Sequence, residues 1–347
     1  MSAGVVQLQA KGAQDAWFTA TDSDGLSFFN QVWKKHTNFS QSVEKHFIEG
    51  TPRNGGLSTI KLSKNGDLVG HTYFSINNGS QAQDHANWEQ LIESVELLIG
   101  GVVIDTQDSV FSENIAIDMF ANNVSKSSNG PHPGSSATSY FYPLRFWFCE
   151  APSLAIPLVS LQYQDVELRV RWGSAAESYQ WEAYSNYYYL DDDERAAIAS
   201  KAKYQMIYQV QKVIASNELE MDLTSFSHPI KFIASGNNDV TSVLKKDNNR
   251  IRLSVNGMDL SDFRFARPHF MDVSHYYHTN FVTSPDIFMH SFAITTSLLQ
   301  PTGTLNASRV ASFKIISESL PIADDIYAVS LNILKYENGM CGVLYAN

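Results

Sequence analysis

Residues 165–172 alternate strictly between charge and bulk. Val166, Leu168, Val170 and Trp172 fall on one side of an extended chain, and Asp165, Glu167, Arg169 and Arg171 fall on the other. A period of two marks a half-buried antiparallel strand with one wet face. Upstream, Pro152 and Pro157 bracket residues 153–156 and force a turn. The aromatic run 146–148 before them predicts another strand. The segment therefore reads as strand, turn, strand, with 165–172 as the closing edge of an all-β domain.

The same reading extends in both directions. Short β-prone runs occur at 43–49, 57–63, 68–76, 91–99 and 102–104, divided by Asn54-Gly55-Gly56, Asn65-Gly66-Asp67, Asn78-Gly79 and Gly100-Gly101. Of these, Asn65-Gly66 predicts a hairpin most strongly. Residues 112–123 predict a short helix with Ser112 as N-cap, and the Ser/Asn/Gly/Pro stretch 122–139 an exposed loop. After Trp172 the character changes. Tyr187-Tyr188-Tyr189 precedes Asp191-Asp192-Asp193-Glu194, where Asp191 and Glu194 fit a capping box and Lys201 and Lys203 lie towards the far end. That predicts a helix within a connection between two β domains. From Gln209 the strand pattern resumes, and it closes on a second alternating run. There Tyr327, Val329, Leu331 and Ile333 oppose Ala328, Ser330 and Asn332. Two series of short strands, each ending in a long alternating one, imply two sandwiches of similar plan. Residues 1–24 carry no such pattern and read as an arm.

Composition narrows the class. The chain has 347 residues, 44% of them hydrophobic and 12% aromatic, so it is long enough for two ordinary cores. Charged residues make up 18%, below the usual quarter, which suits a protein that buries surface in an assembly. The net charge of −11 is spread over both halves without a basic block, which argues against direct nucleic-acid binding. Cys149 and Cys341 are too few for a disulfide scaffold or a thiolate metal site and suit a reducing compartment. No apolar run reaches the ~18 residues of a membrane span, and residues 1–20 lack the features of a signal peptide.

Candidate chemistry is sparse. Asp165 and Glu167 share a strand face about 7 Å apart, within the range of paired-carboxylate hydrolases. Arg169 and Arg171 share that face too and would keep both acids ionised, whereas a general acid needs a raised pKa. The acid run 191–194 is explained by a helix start without any metal. His269, His275, His278 and His290 form the densest histidine group but show no metal-ligand spacing, and His132 sits between two prolines. No nucleophile elbow, phosphate-binding loop or dinucleotide fingerprint occurs. We therefore expect no catalytic residues, no metal and no cofactor. Asn38, Asn78, Asn123 and Asn306 head Asn-x-Ser triplets and are the candidate glycosylation positions, Asn78 being best placed in its turn. The tyrosines 187–189 leave open a carbohydrate-binding module.

Four blocks carry a family resemblance. The first is Gly12-Ala13-Gln14-Asp15, Thr19, Phe28-Phe29 and Trp33-Lys34-Lys35-His36-Thr37-Asn38-Phe39. The second runs from Phe146-Trp147-Phe148 through Pro152, Ala155, Pro157-Leu158, Leu161 and Tyr163. The third is Gln300-Pro301-Thr302-Gly303-Thr304-Leu305-Asn306-Ala307-Ser308-Arg309, and the fourth is Tyr327-Ala328, Asn332, Leu334, Gly339-Met340 and Gly342. In this order they resemble the double jelly-roll major capsid proteins of nucleocytoplasmic large DNA viruses, the kind found in chlorella viruses and iridoviruses. The chain is shorter than most members, with little room for long surface loops.

The resemblance implies an all-β chain of two tandem eight-stranded antiparallel jelly rolls joined by a linker with a short helix. The expected division is an arm at 1–24, a first roll at 25–172, a linker at 173–207 and a second roll at 208–347. It also implies a structural, non-enzymatic virion protein: a homotrimeric, pseudo-hexagonal capsomer subunit of an icosahedral capsid. Its partners would be itself, neighbouring capsomers, minor capsid proteins and an inner viral membrane, with no direct nucleic-acid contact and assembly in the host cytoplasm. The alternatives are a minor capsid subunit of the same family, or a carbohydrate-binding or glycosidase jelly-roll protein.

Overall fold

A strand with one apolar face must bury that face against a second layer, and in this chain the second layer is another sheet. The computed structural model describes residues 12–14, 17–18, 28–122, 126, 138–236, 242–280 and 287–345. The chain divides into two units, Met1–Asn38 and Phe39–Asn347. In the first, most of the arm expected at 1–24 lies outside the described residues, while Trp17, Phe18, Phe28, Phe29 and Trp33 are exposed.

Among its described residues the second unit holds four sheets. One orders Leu57–Leu62, Val166–Trp172, Ile92–Ile99 and Val102–Asp108, with Ile48–Glu49 outside Leu57–Leu62. Its companion orders Phe39–His46, Gln180–Leu190 and Leu68–Asn77, and the short pieces Ala82–Gln83, Phe141–Pro143 and Ile156–Pro157 also pair with Leu68–Asn77. The later half repeats this plan. Glu220–Asp222, Phe313–Ser317 and Arg250–Val255 form one sheet, completed by Met258–Asp259 and Arg264–Phe265. Lys203–Val213, Ile326–Glu337 and Pro229–Ser235 form the other, completed by Met289–Ser291 and Leu305–Asn306. The hairpin strand Met340–Val343 adds to Ile326–Glu337. All pairings are antiparallel, and the order of strands along the chain is the same in both halves. This is a double jelly roll. Among the described residues no helix is long and apolar enough to cross a membrane.

The alternation at Val166–Trp172 is realised in full, with its four apolar side chains wholly buried. The strand is not an edge, however. Leu168 lies opposite Ile60 on one side and Leu97 on the other, so the strand is central. Alternation reports which face is wet; it carries no information about how many neighbours a strand has.

Several local expectations change. Asn65-Gly66 links strands of different sheets, and neither residue adopts the positive φ of a tight hairpin turn. Two-residue hairpins form instead at Gly100-Gly101, Asn256-Gly257 and Asn338-Gly339, where both residues have positive φ. Residues 146–148 are not a strand. Trp147–Glu150 is a helical turn that buries consecutive aromatics, which an extended chain would place on opposite faces. Ser112 is not a cap, because Phe111–Ile115 starts with Asp108 Oδ1 accepting the Phe111 N–H at 2.9 Å.

The expected linker at 173–207 contains a sheet strand. Gln180–Leu190 lies between Phe39–His46 and Leu68–Asn77, so the first roll's strands run on past Trp172 to Leu190. A register shift between Ser185 and Tyr187 breaks the alternation and leaves both Tyr187 and Tyr188 buried, which hides the strand from a period-two reading. What remains as a connection is the helix Asp192–Ser200. Asp191 caps it by accepting the Asp192 N–H at 3.0 Å, but Glu194 does not complete the box: among the described residues its buried Oε2 has no partner. Arg195 instead grips Asp67 with Nε at 2.8 Å and Nη2 at 3.2 Å, tying the helix to the first roll.

Candidate functional site

The strand Ile326–Glu337 is buried on both faces over its first five residues, 326–330. Ile326 and Ala328 belong to the second roll's own core, whereas Tyr327 and Val329, on the opposite face, belong to a cluster continuous with the first roll's interior, which Leu334 and Tyr336 join farther along the strand from the Ala328 side. Over 326–330 the alternation therefore separates two dry faces rather than a dry one and a wet one. The second dry face is a seam between the rolls, and it is the candidate functional site.

Aromatic rings fill the seam. Phe120 packs on Tyr208 with ring centroids 4.6 Å apart and on Phe232 at 6.1 Å, and Phe111 meets Tyr327 at 5.9 Å. Gly236 lets the backbone come close: a Cβ there would sit 2.6 Å from Val110 Cγ1 and 2.9 Å from the Tyr327 ring. Its carbonyl accepts a bond from Asn114 Nδ2 at 2.8 Å.

Polar groups fix the register. Val102–Asp108 presents Asp105 and Asp108 to Lys203–Val213. Asp105 Oδ1 accepts the Val210 N–H at 2.8 Å, and Gln209 Nε2 donates to the Ile104 carbonyl at 2.6 Å. Tyr208 Oη donates to the Arg145 carbonyl at 2.9 Å. Asp108 Oδ2 accepts from both Tyr327 Oη at 2.6 Å and Lys212 Nζ at 3.1 Å. Burial pushes the Asp105 carboxyl up to about 7, opposed by the bonds it accepts from Val210, Gln107 and Thr106. The sequence reading missed these residues. The available signal was two acids, Asp105 and Asp108, in the strand Val102–Asp108 and facing a strand rich in Tyr and Gln.

The candidate catalytic face has the opposite character. Asp165 is bound by Lys61 and, at 3.1 Å, by Lys64, and these hydrogen bonds hold its carboxyl below the usual range. Arg169 meets Glu96 of the neighbouring strand at 3.1 Å. The face is a set of cross-strand ion pairs without a proton donor for general-acid chemistry.

The remaining candidates are scattered. Tyr187 and Tyr188 are buried, and Tyr189 Oη donates to Glu44 at 2.6 Å, so the tyrosine run is sheet structure rather than a sugar platform. His275 is buried with Nδ1 at 2.6 Å from the Met271 carbonyl, while His269, His278 and His290 line one pocket of the second roll. His132 lies outside the described residues. Among the described residues no group of three or more His, Cys, Asp or Glu could hold a metal ion. Asn38, Asn78 and Asn306 are exposed, and Asn123 lies outside the described residues. Asn78 Oδ1 accepts the N–H groups of Ser80 and Gln81 at 3.1 and 2.9 Å, whereas the backbone of Asn306 is paired with Pro229.

Viral capsid proteins of known structure share this plan. The structure of PBCV-1 VP54 fitted into a reconstruction of the virophage Sputnik superimposes with a TM-score of 0.77 at 22% identity, covering 92% of this chain and all of that one. The Faustovirus major capsid protein gives 0.64 at 11% identity, covering 97% and 99%. By sequence, the major capsid protein of Pyramimonas orientalis virus is 29% identical and that of Paramecium bursaria Chlorella virus 1 is 25% identical, both over the full length of each chain. The family model described as the major capsid protein N-terminus matches residues 27–210, more than half of the chain. With the double jelly roll and its sealed seam, that match identifies the chain as a member of the major capsid protein family, a structural protein of the virion.

Proposed function

We propose that three copies of this chain close around an axis into a pseudo-hexagonal capsomer that tiles an icosahedral capsid. The observation that carries this reading is the seam. Within the unit Phe39–Asn347, two rolls of similar strand plan are joined by aromatic packing and part-buried hydrogen bonds, so this unit acts as one block with two similar lobes. Three such blocks supply six comparable lobes, and cyclic closure leaves no open-ended contact. The low charged fraction and the exposed aromatics of the first unit suit further burial on assembly.

In this reading the protein catalyses nothing. Its partners are its own copies, neighbouring capsomers, minor capsid proteins and an inner membrane beneath the shell, without direct nucleic-acid contact, and assembly takes place in the host cytoplasm. Negative-stain class averages of the purified protein test the shape: threefold particles with six peripheral densities are expected, and isolated two-lobed particles would count against the proposal.

A further inference from the structure

The second roll contains a pocket of about 220 Å³ lined by one arginine and three histidines. Arg264, His269, His278 and His290 reach it from separate elements, with Ser261 and Tyr277 beside them, and among the described residues no Asp or Glu is part of the lining. Arg264 stands on the short strand Arg264–Phe265, His269 starts the segment His269–Val273, His278 ends Ser274–His278, and His290 is central in Met289–Ser291. The fold therefore converges four basic side chains on one space. At roughly 30 Å³ per water, the space holds several waters or one small anion with its remaining hydration.

Charge matching around the pocket is uneven. Arg250, Arg252 and Arg267 each have a carboxylate, from Glu318 at 3.8 Å, Asp259 at 2.7 Å and Asp272 at 3.3 Å. Among the described residues Arg264 has none, although it is the arginine that lines the pocket. His290 registers the consequence. Burial first, and then the charges of His278 and Arg264, push its ring down to about 4. Its ring packs against Phe270 at 6.1 Å and Phe292 at 5.0 Å. His278 uses Nδ1 on the Ile294 carbonyl at 3.1 Å, which leaves Nε2 as its remaining ring nitrogen.

A pocket lined by a permanent cation, imidazoles and hydroxyls, with no acid among its described lining residues, is complementary to a small oxygen anion. We infer that this pocket binds a small oxyanion of phosphate, sulfate or carboxylate type, with Arg264 as the fixed charge and His278 and His290 as the groups that close around it. The bound anion would also relieve the repulsion that disfavours protonated His290.

Calorimetric titration of the full-length protein at constant ionic strength tests this, using sodium phosphate, sulfate and acetate in separate arms against a sodium chloride reference. Saturable binding of one anion per chain is expected, and comparison of the arms tells a tetrahedral from a planar preference. Arg264→Gln should weaken binding by about tenfold or more, the loss of one charge-assisted contact. Arg267→Gln, whose charge is already matched by Asp272, should bind as the wild type does. On the wild-type protein alone, proton NMR of His290 should show its titration moving to higher pH at saturating anion. Heats no larger than those of chloride, unchanged affinity in Arg264→Gln, or an unmoved His290 titration would each overturn the inference.

Discussion

Tyr327 of the second jelly roll donates its phenol hydrogen to Asp108 of the first at 2.6 Å, and the same carboxylate oxygen takes Lys212 at 3.1 Å. Burial and the adjacent carboxylate raise the phenol's pKa, so it remains a donor throughout the accessible pH range. Lys212 also reaches Asp325 at 2.9 Å, so one cation bridges acids from both rolls. Two sandwiches that could each close separately are thereby held in one arrangement.

Tyr327→Phe keeps the ring packing and removes only this bond. The expected loss is about 1.5–3 kcal/mol, the range for a hydrogen bond to a charged group, read as a lower midpoint in urea unfolding. An unchanged midpoint would mean that packing alone sets the seam.

The seam also carries a pH dependence. The Asp105 carboxyl is pushed up to about 7 in the folded chain, whereas an unfolded aspartate titrates near ~3.9. Between those values the folded chain holds a proton that the unfolded chain has lost. Its contribution to stability therefore falls as pH rises from about 4 to 7, and then levels off. His71 and His290, pushed down to about 4 mainly by burial, act with the opposite sign, so the comparison must be between wild type and variant. Asp105→Asn should remove a slope on the order of 1 kcal/mol per pH unit in this window. Parallel stability profiles from pH 4.5 to 7.5 would contradict the assignment.

Much of the fold was legible because one-sided burial writes itself as a period of two. Leu168 and its alternating neighbours were read correctly as a strand with one dry face. Its central position was not readable, since pairing partners leave no mark on that period. Gln180–Leu190 was missed for a related reason: the register shift at Ser185 and Tyr187 buries two adjacent tyrosines. The turns divide by backbone geometry. Asn256-Gly257 forms the tight hairpin its residues favour, whereas Asn65-Gly66 serves a crossing between sheets that needs no left-handed residue. The seam stayed hidden because Asp105 and Asp108 look like ordinary strand polar residues until Val210 and Tyr327 are brought to them from about a hundred and more than two hundred residues away.

Among the Asn-x-Ser positions, Asn78 is the one offered by an exposed turn, with its amide nitrogen free of the turn's own bonds, which use Oδ1. If virion protein carries an asparagine-linked glycan, peptide mass spectrometry should find it at Asn78 and lose it in Asn78→Gln. A glycan at Asn306 with none at Asn78 would contradict this ranking.

The central claim is that a two-lobed chain assembles by threefold closure, and its mass in solution tests this most directly. Light scattering coupled to size exclusion at neutral pH should report about three times the 38.8 kDa chain mass over a range of micromolar concentrations. A single species at the chain mass over that range would contradict the capsomer account.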